Sequence, residues 1–443
     1  MSARDVSTCS KIKKNKKKQK GVKIMQKTKK LGLGLAATIV LSTALAGCSS
    51  QPTAAPKTTA PVATSAALPR GVHLTVWSWW GVPEFTVVQQ YAQKWAKAHG
   101  DTVTVVNQSS NTNGFVIYST AARAGKGPDV GLAMPHDNLG LFREEGLLAP
   151  IPNNMINPHA YTATEMNAVT FGGTAYAYPM SVQTTALFYN KSKIKTPPVT
   201  WSQFVQDANK NGFGFAQHNL YFNYAFIGGM GGYIFGSHNG ALNPNDIGLA
   251  SPGAIKGFTL LHAMDWQYHW MNPNTTGAIS LANFTNNKIG MYISGPWDIP
   301  NVQKAKINLG IAPLPKLPNG KPATPFIGVM TALVNQRGHN IPSATALAQY
   351  LSTAPEMQYF HVNADLPALV NLQHSKAVQS NPFDAAFLKQ AEVGVPMPNI
   401  PQMGVVWGAM GEIANIITGK VSPAAGAHYF VAQIKKGIQV QQG

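Results

Sequence analysis

From Val72 onward the chain alternates between two hydrophobic periods, and that alternation restricts its fold more than any other feature. Val72-His-Leu-Thr-Val-Trp77 reads as a strand and Ser78-Trp79-Trp80-Gly81 as its exit. A helix to about residue 98 follows, with Val88, Tyr91, Ala92 and Trp95 at helical spacing. Residues 103–106 read as the next strand, 112–124 as a helix, and 127–134 as a strand closed by Pro135-His136-Asp137. Such alternation builds an α/β fold, a mainly parallel sheet covered by helices, whose ligands sit outside the carboxyl ends of the strands. Trp79, Trp80, His136 and Asp137 all fall at such ends. Each alone is explained by packing or loop capping; four at equivalent positions have the pattern of a site.

A further strand exit is written into Met291-Tyr-Ile-Ser-Gly-Pro-Trp297. Pro296 fixes φ and Gly295 permits close backbone approach, so the Trp297 indole is offered where a flat ligand could lie on it. A tryptophan here equally suits a core plug, since most tryptophans are largely buried.

The amino terminus is of a different kind. The first thirty residues hold twelve Lys/Arg and one Asp, a net +11 out of the +18 of the whole chain. Residues 31–47 are an uncharged Ala/Gly-rich run, short for a membrane span, ending in Leu45-Ala46-Gly47-Cys48. The pattern resembles a bacterial lipoprotein signal. That resemblance implies that residues 1–47 are removed, that Cys48 is the lipidated first residue, and that the protein stands outside the cell membrane on a lipid anchor. Met25 with the basic residues behind it already supplies a sufficient start for such a leader. Residues 48–70, rich in Ser, Thr, Ala and Pro with no hydrophobic period, then read as a tether. The remaining body exceeds what one core usually serves, so two lobes are expected.

Several function classes are excluded. Cys9 and Cys48 are the only cysteines, which leaves the body without disulfide or thiol chemistry. Beyond Cys48 the net charge is +7, spread without a basic cluster, so nucleic acid is not a partner. Only sixteen Asp/Glu remain there, and none pair as the two carboxylates of a glycosidase must, apart from Glu144-Glu145 in a helix-end FREEG segment. G-x-S-x-G, HExxH and phosphate-cradling loops are absent. His262, Asp265 and His269 could share a helical face, but core-type Leu260, Leu261, Met264 and Trp266 surround them, which argues against a metal site. No cofactor or catalysis is expected.

GKGPDV (125–130), AYPMSV (177–182), LFYNK (187–191), NLYF (219–222), GGYIFG (231–236), SGPW (294–297), PFIGV (325–329) and PMPNIPQMGVVW (396–407) carry the decisive signal. Together they resemble the extracellular solute-binding proteins, family 1, of bacterial ABC importers, most nearly the maltose/maltodextrin binders. The resemblance runs from about residue 72 to about 435. It implies the two-lobe periplasmic-binding-protein fold, with residues 71–180 and 326–377 in the first lobe and 181–325 and 378–443 in the second. Crossover hinges are implied near 180, 325 and 378, a maltodextrin in the cleft, permease subunits as partners, and a monomer. By motif position Tyr221, Trp297 and Trp407 resemble the stacking aromatics, Asp137 a hydroxyl-binding carboxylate, and Phe222 and Met397 apolar wall residues. Trp79, Trp80 and Glu84 in the first loop, His136, Gln183 and Asn219 complete the implied sugar site.

Departures from the family pattern are as informative. Gln183 and Asn219 stand where glutamates are usual, Asn138 and Gly411 where arginines are, and Gly408 where a tyrosine is, so charged sugar contacts have given way to neutral ones. Few carboxylates, with amides in the cleft, lead to a further expectation: a protein that folds and binds in acid.

Overall fold

The computed structural model describes residues 68–111, 114–238 and 240–442. The leader, Cys48 and nearly all of the expected tether lie outside them. In chain order the strands of the two main sheets are β1 (His73–Ser78), β2 (Thr102–Asn107), β3 (Val130–Pro135), β4 (Ala177–Gln183), β5 (Ala186–Asn190), β6 (Phe213–Gly214), β7 (Met291–Ser294), β8 (Leu309–Ala312), β9 (Phe326–Val334), β10 (Leu366–Pro367) and β11 (Val395–Pro396). One sheet runs β10-β4-β9-β3-β1-β2, with β11 beside the start of β9, and the other runs β8-β5-β7-β6.

β1 lies parallel to β2 and β3, as strand–helix alternation requires. β9, however, lies antiparallel between β3 and β4, and β10 antiparallel to β4. In the second sheet β5 is antiparallel to β7 and β8, and only β6 is parallel to its neighbour. The sheets are therefore mixed where mainly parallel ones were expected. The reason is the route of the chain. β4 leaves the first sheet and, after Thr184-Thr185, continues as β5 of the second, while β9 brings the chain back. Such linking strands enter without the helical crossover that a parallel pair needs.

β4 is buried along its whole length and β9 everywhere but Met330, which suits strands covered on both faces. The helix Glu84–His99 buries Val87, Val88, Ala92, Trp95 and Ala96 and ends at Gly100 in the left-handed region, the usual helix stop. Leu74, Val76, Leu132, Ala332 and Leu347 belong to the core of the first lobe; Phe204, Phe226, Phe258, Ile293 and Phe430 belong to that of the second. We propose that the chain crosses between lobes at Thr184-Thr185, ahead of β9, and between β10 and the helix Pro382–Ala391, which packs on β8. The helix that carries His262 and Asp265 ends at Trp266, and His269 lies past it with φ 55°, so the three do not share a helical face.

Candidate functional site

Trp297 is set by its own turn. β7 delivers Ser294 to Gly295, and Pro296–Asp298 forms a single 3-10 turn. The Asp298 carboxylate accepts hydrogen bonds from the Tyr292 hydroxyl at 2.8 Å and the Ser294 hydroxyl at 2.6 Å, tying the turn to the strand. The indole folds back over Gly295 so closely that a methyl group there would meet the ring at 2.2 Å, so no other residue fits. Half-buried, Trp297 faces Tyr221 and Phe222 with ring centroids 6.1 and 6.3 Å away. Tyr221 in turn lies 6.2 Å from Phe326, which lies 6.1 Å from Trp407. Phe222, Trp297, Tyr221, Phe326 and Trp407 thus make a continuous arc of rings on the second lobe and the root of β9. Asn219 does not point its amide oxygen at this arc: it caps the helix Leu220–Gly229, accepting from the Tyr221 N–H at 2.9 Å, and so fixes where Tyr221 starts.

The polar partners come from the other side. β3 ends at Pro135, and the buried pair His136-Asp137 follows. Trp407 donates its indole N–H to Asp137 Oδ2 at 2.7 Å. Burial pushes the Asp137 carboxyl up to about 6, and the bond from Trp407 partly offsets this. His136 is fully engaged. The Val329 N–H donates to Nδ1 at 3.1 Å, so Nε2 carries the proton and donates to the Met397 carbonyl at 3.0 Å. Burial lowers its pKa to about 4. His136 therefore has no ring nitrogen left for a ligand. It positions β3 against β9 and the Met397 segment, a correction to its expected place among the sugar contacts.

At the end of β4, Gln183 donates to Asp365 Oδ1 at 2.8 Å. Gly328 of β9 pairs with Gln183, and a methyl group on it would stand 3.5 Å from Met397 Cε, 3.6 Å from the Tyr221 hydroxyl and 3.8 Å from the Gln183 carbonyl. Gln183, Tyr221 and Met397 therefore meet around one backbone position. Burial raises the Tyr221 pKa, with the Asp137 and Asp365 carboxylates adding to it, so the phenol stands near both acids. Asp365 escaped the sequence reading because nothing in NADLP distinguishes it; its pairing with Gln183 bridges 182 residues. Phe326 escaped because it was read only as part of a motif.

The first loop is placed otherwise than expected. Trp80 is buried against Tyr359 with centroids 4.4 Å apart, and Trp79 packs among Trp77, Phe115 and Tyr118 over Gly114. Glu84 is buried too, accepting from the Asn363 amide, and its carboxyl is raised by burial. These three residues complete the first lobe instead of facing the arc of rings.

Rings in a row with buried carboxyl and amide groups beside them match the chemistry of a sugar, which offers apolar faces and a rim of hydroxyls. The model of the bacterial extracellular solute-binding proteins matches residues 79–358. The chain belongs to that family. Among solute-binding relatives, a galactooligosaccharide-binding protein of Bacillus subtilis is 34% identical over 68% of this chain and 74% of its own length. A maltodextrin-binding protein of the same organism is 31% identical over 71% of this chain and 79% of its own. Among solved solute-binding structures, the maltose-maltodextrin binding protein of the thermoacidophilic bacterium Alicyclobacillus acidocaldarius superposes with a TM-score of 0.80. It is 52% identical, covering 82% of this chain and all of that one.

Proposed function

We propose that this solute-binding protein is the maltodextrin-binding component of an ABC sugar importer, holding maltose or its oligomers between the lobes and handing them to a permease. The observation that carries the reading is the arc from Phe222 to Trp407 set against Asp137 and Gln183. Its support outside the chain is the 52% identity to a maltose-maltodextrin binder. Relatives of this chain are solute-binding proteins, and we assign no catalysis to it. The sugar site comprises Asp137, Gln183, Tyr221, Phe222, Trp297, Met397 and Trp407. A second reading, a binder of galactooligosaccharides, is favoured by the 34% identical relative. Titration calorimetry against maltose, maltotriose, trehalose, a pentose disaccharide and a galactotriose separates the two. Tight binding of maltotriose alone upholds the first reading, and preference for the galactotriose replaces it.

We further propose that Cys48 carries the lipid that holds the protein at the outer face of the membrane. No helix among the described residues is long and apolar enough to cross one. Cys48→Ser protein should be released from membranes, since stable anchoring rests on the acyl chains; protein that still fractionates with membranes refutes the anchor.

A further inference from the structure

Asp365 lies at the meeting of the lobes and has no part in the site as drawn above. β10 pairs with the end of β4, Leu366 opposite Val182, which seats Asp365 beside Gln183. Gln183 holds Oδ1, while Oδ2 is buried with no hydrogen-bond partner among the described residues. The residue is 1% exposed. A buried polar atom without a partner is costly, and one that persists calls for an occupant. The groups that face Asp365 narrow the choice of occupant: Gln183 on its own lobe, Glu84 from the first helix, and Tyr221 from the second lobe, where the ring arc begins. Neither Lys nor Arg is among them.

We propose that Asp365 is a second carboxyl group of the sugar site, its Oδ2 hydrogen-bonding a ligand hydroxyl while Gln183 fixes Oδ1. The proposal rests on the maltodextrin reading and names a contact within it. A hydroxyl suits this atom because it both donates and accepts, so it partners the carboxyl in either protonation state. Burial, reinforced by Glu84, raises the Asp365 pKa to about 8, so the neutral acid is the prevailing form in neutral and acidic media. The amide at 183 belongs to the same arrangement. A glutamate there would set acid against acid, whereas the amide N–H donates to Oδ1 and leaves Oδ2 for the ligand. A sugar between the lobes would then meet Asp365 on one wall and Tyr221 on the other. Reaching Oδ2 requires the lobes to part first.

Calorimetry with maltotriose and its monodeoxy analogues tests this on wild type and Asp365→Leu, with Asp384→Leu as a control. Asp384 is likewise buried and unpartnered but sits in the helix Pro382–Ala391. Asp365→Leu, close in size but without a hydrogen-bonding atom, should weaken maltotriose roughly ten-fold, the loss of one strong hydrogen bond. One deoxy analogue that binds poorly to wild type should lose that penalty in Asp365→Leu alone, because the contact is already gone. An unchanged maltotriose affinity, or the same analogue pattern in both proteins, overturns the contact, as a water held at Oδ2 would produce. A lowered melting temperature with intact affinity also overturns it. If wild type binds no maltooligosaccharide, the functional reading falls by itself, and the same comparison with the oligosaccharide that does bind decides Asp365. Binding of no sugar at all ends both.

Discussion

Two strand-end loops of this molecule carry tryptophans, and they do opposite things. After β1, Trp79-Trp80-Gly-Val-Pro-Glu84 turns inward. Trp80 lies on Tyr359, Trp79 over Gly114, and the Glu84 carboxyl is buried against Asn363. After β7, Gly295-Pro-Trp297-Asp298 holds its half-buried ring beside Tyr221 and Phe222, clamped because Asp298 binds back to Tyr292 and Ser294. Both loops end in an acid, and the acid decides the outcome. Glu84 reaches to a residue 279 positions away and sews the loop into the first lobe, whereas Asp298 reaches four and six positions back and stiffens only its own turn. The two strand-end tryptophans differ in what holds them: one is sewn into the first lobe by a distant partner, the other is held by its own turn.

The strongest way to break this comparison is to truncate the inward ring. Trp80→Ala should destabilise the fold by about 3–5 kcal/mol, the usual cost of a large core aromatic, while the folded fraction keeps its sugar affinity. A variant that melts like wild type yet no longer binds maltotriose would put Trp80 in the site after all.

Next in size is the pH dependence of the acids gathered around the inward loop and the junction. Burial raises Asp137 to about 6, Asp365 to about 8 and Glu356 to about 9. Glu84 and Glu165 move the same way. A carboxyl whose folded pKa lies above its unfolded value stabilises the protonated fold. That contribution is whole below about pH 4 and is lost as pH climbs through the folded values. His136 has the opposite sign. Its pKa is lowered to about 4, so the fold loses that contribution as pH falls from about 6.5 to 4, and protonation below that would break its bond from Val329. Melting temperature should therefore fall from pH 5 to pH 9, the raised carboxyls outweighing the single opposed His136, with good retention of stability and maltotriose binding down to about pH 4. A maximum near pH 8 with a steep fall below pH 5 would refute the acid-adapted expectation.

The outward ring sharpens the comparison from the other side. Trp297→Ala should cost about 1–3 kcal/mol of binding, roughly one to two decades in affinity, at little cost in melting temperature. Unchanged affinity would make Trp297 a core residue like Trp80. The smallest effect belongs to the clamp. Asp298→Asn weakens the acceptor for two hydroxyls and should lower affinity only a few-fold, about 0.5–1 kcal/mol, by letting the turn wander. Should it abolish binding outright, Asp298 contacts the sugar itself.

Period and turn chemistry were enough to place the first three strands and the two helices between them within about three residues. The helix expected to about residue 98 ends at His99, and the strand expected over 103–106 spans Thr102–Asn107. The motifs likewise marked Tyr221, Trp297 and Trp407, which lie in one arc. What escaped was every decision made between distant segments. Strand direction in β9 follows from the route between lobes, which no local period encodes. His136 was read as a site residue because it ends a strand, yet its two partners, Val329 and Met397, stand 193 and 261 residues away.

By itself, then, the sequence determined the α/β elements, the strand ends of the first sheet, the aromatic identities and the kinship with solute-binding proteins, because these are written in local pattern and short motifs. Only the tertiary structure decided which strand-end ring lies beside Tyr221 and Phe222 and which fills a core, that both nitrogens of His136 are taken, and that Asp365 stands beside Gln183. Those outcomes depend on what a side chain meets across the fold, and burial and hydrogen bonding between segments hundreds of residues apart have no signature in either segment alone.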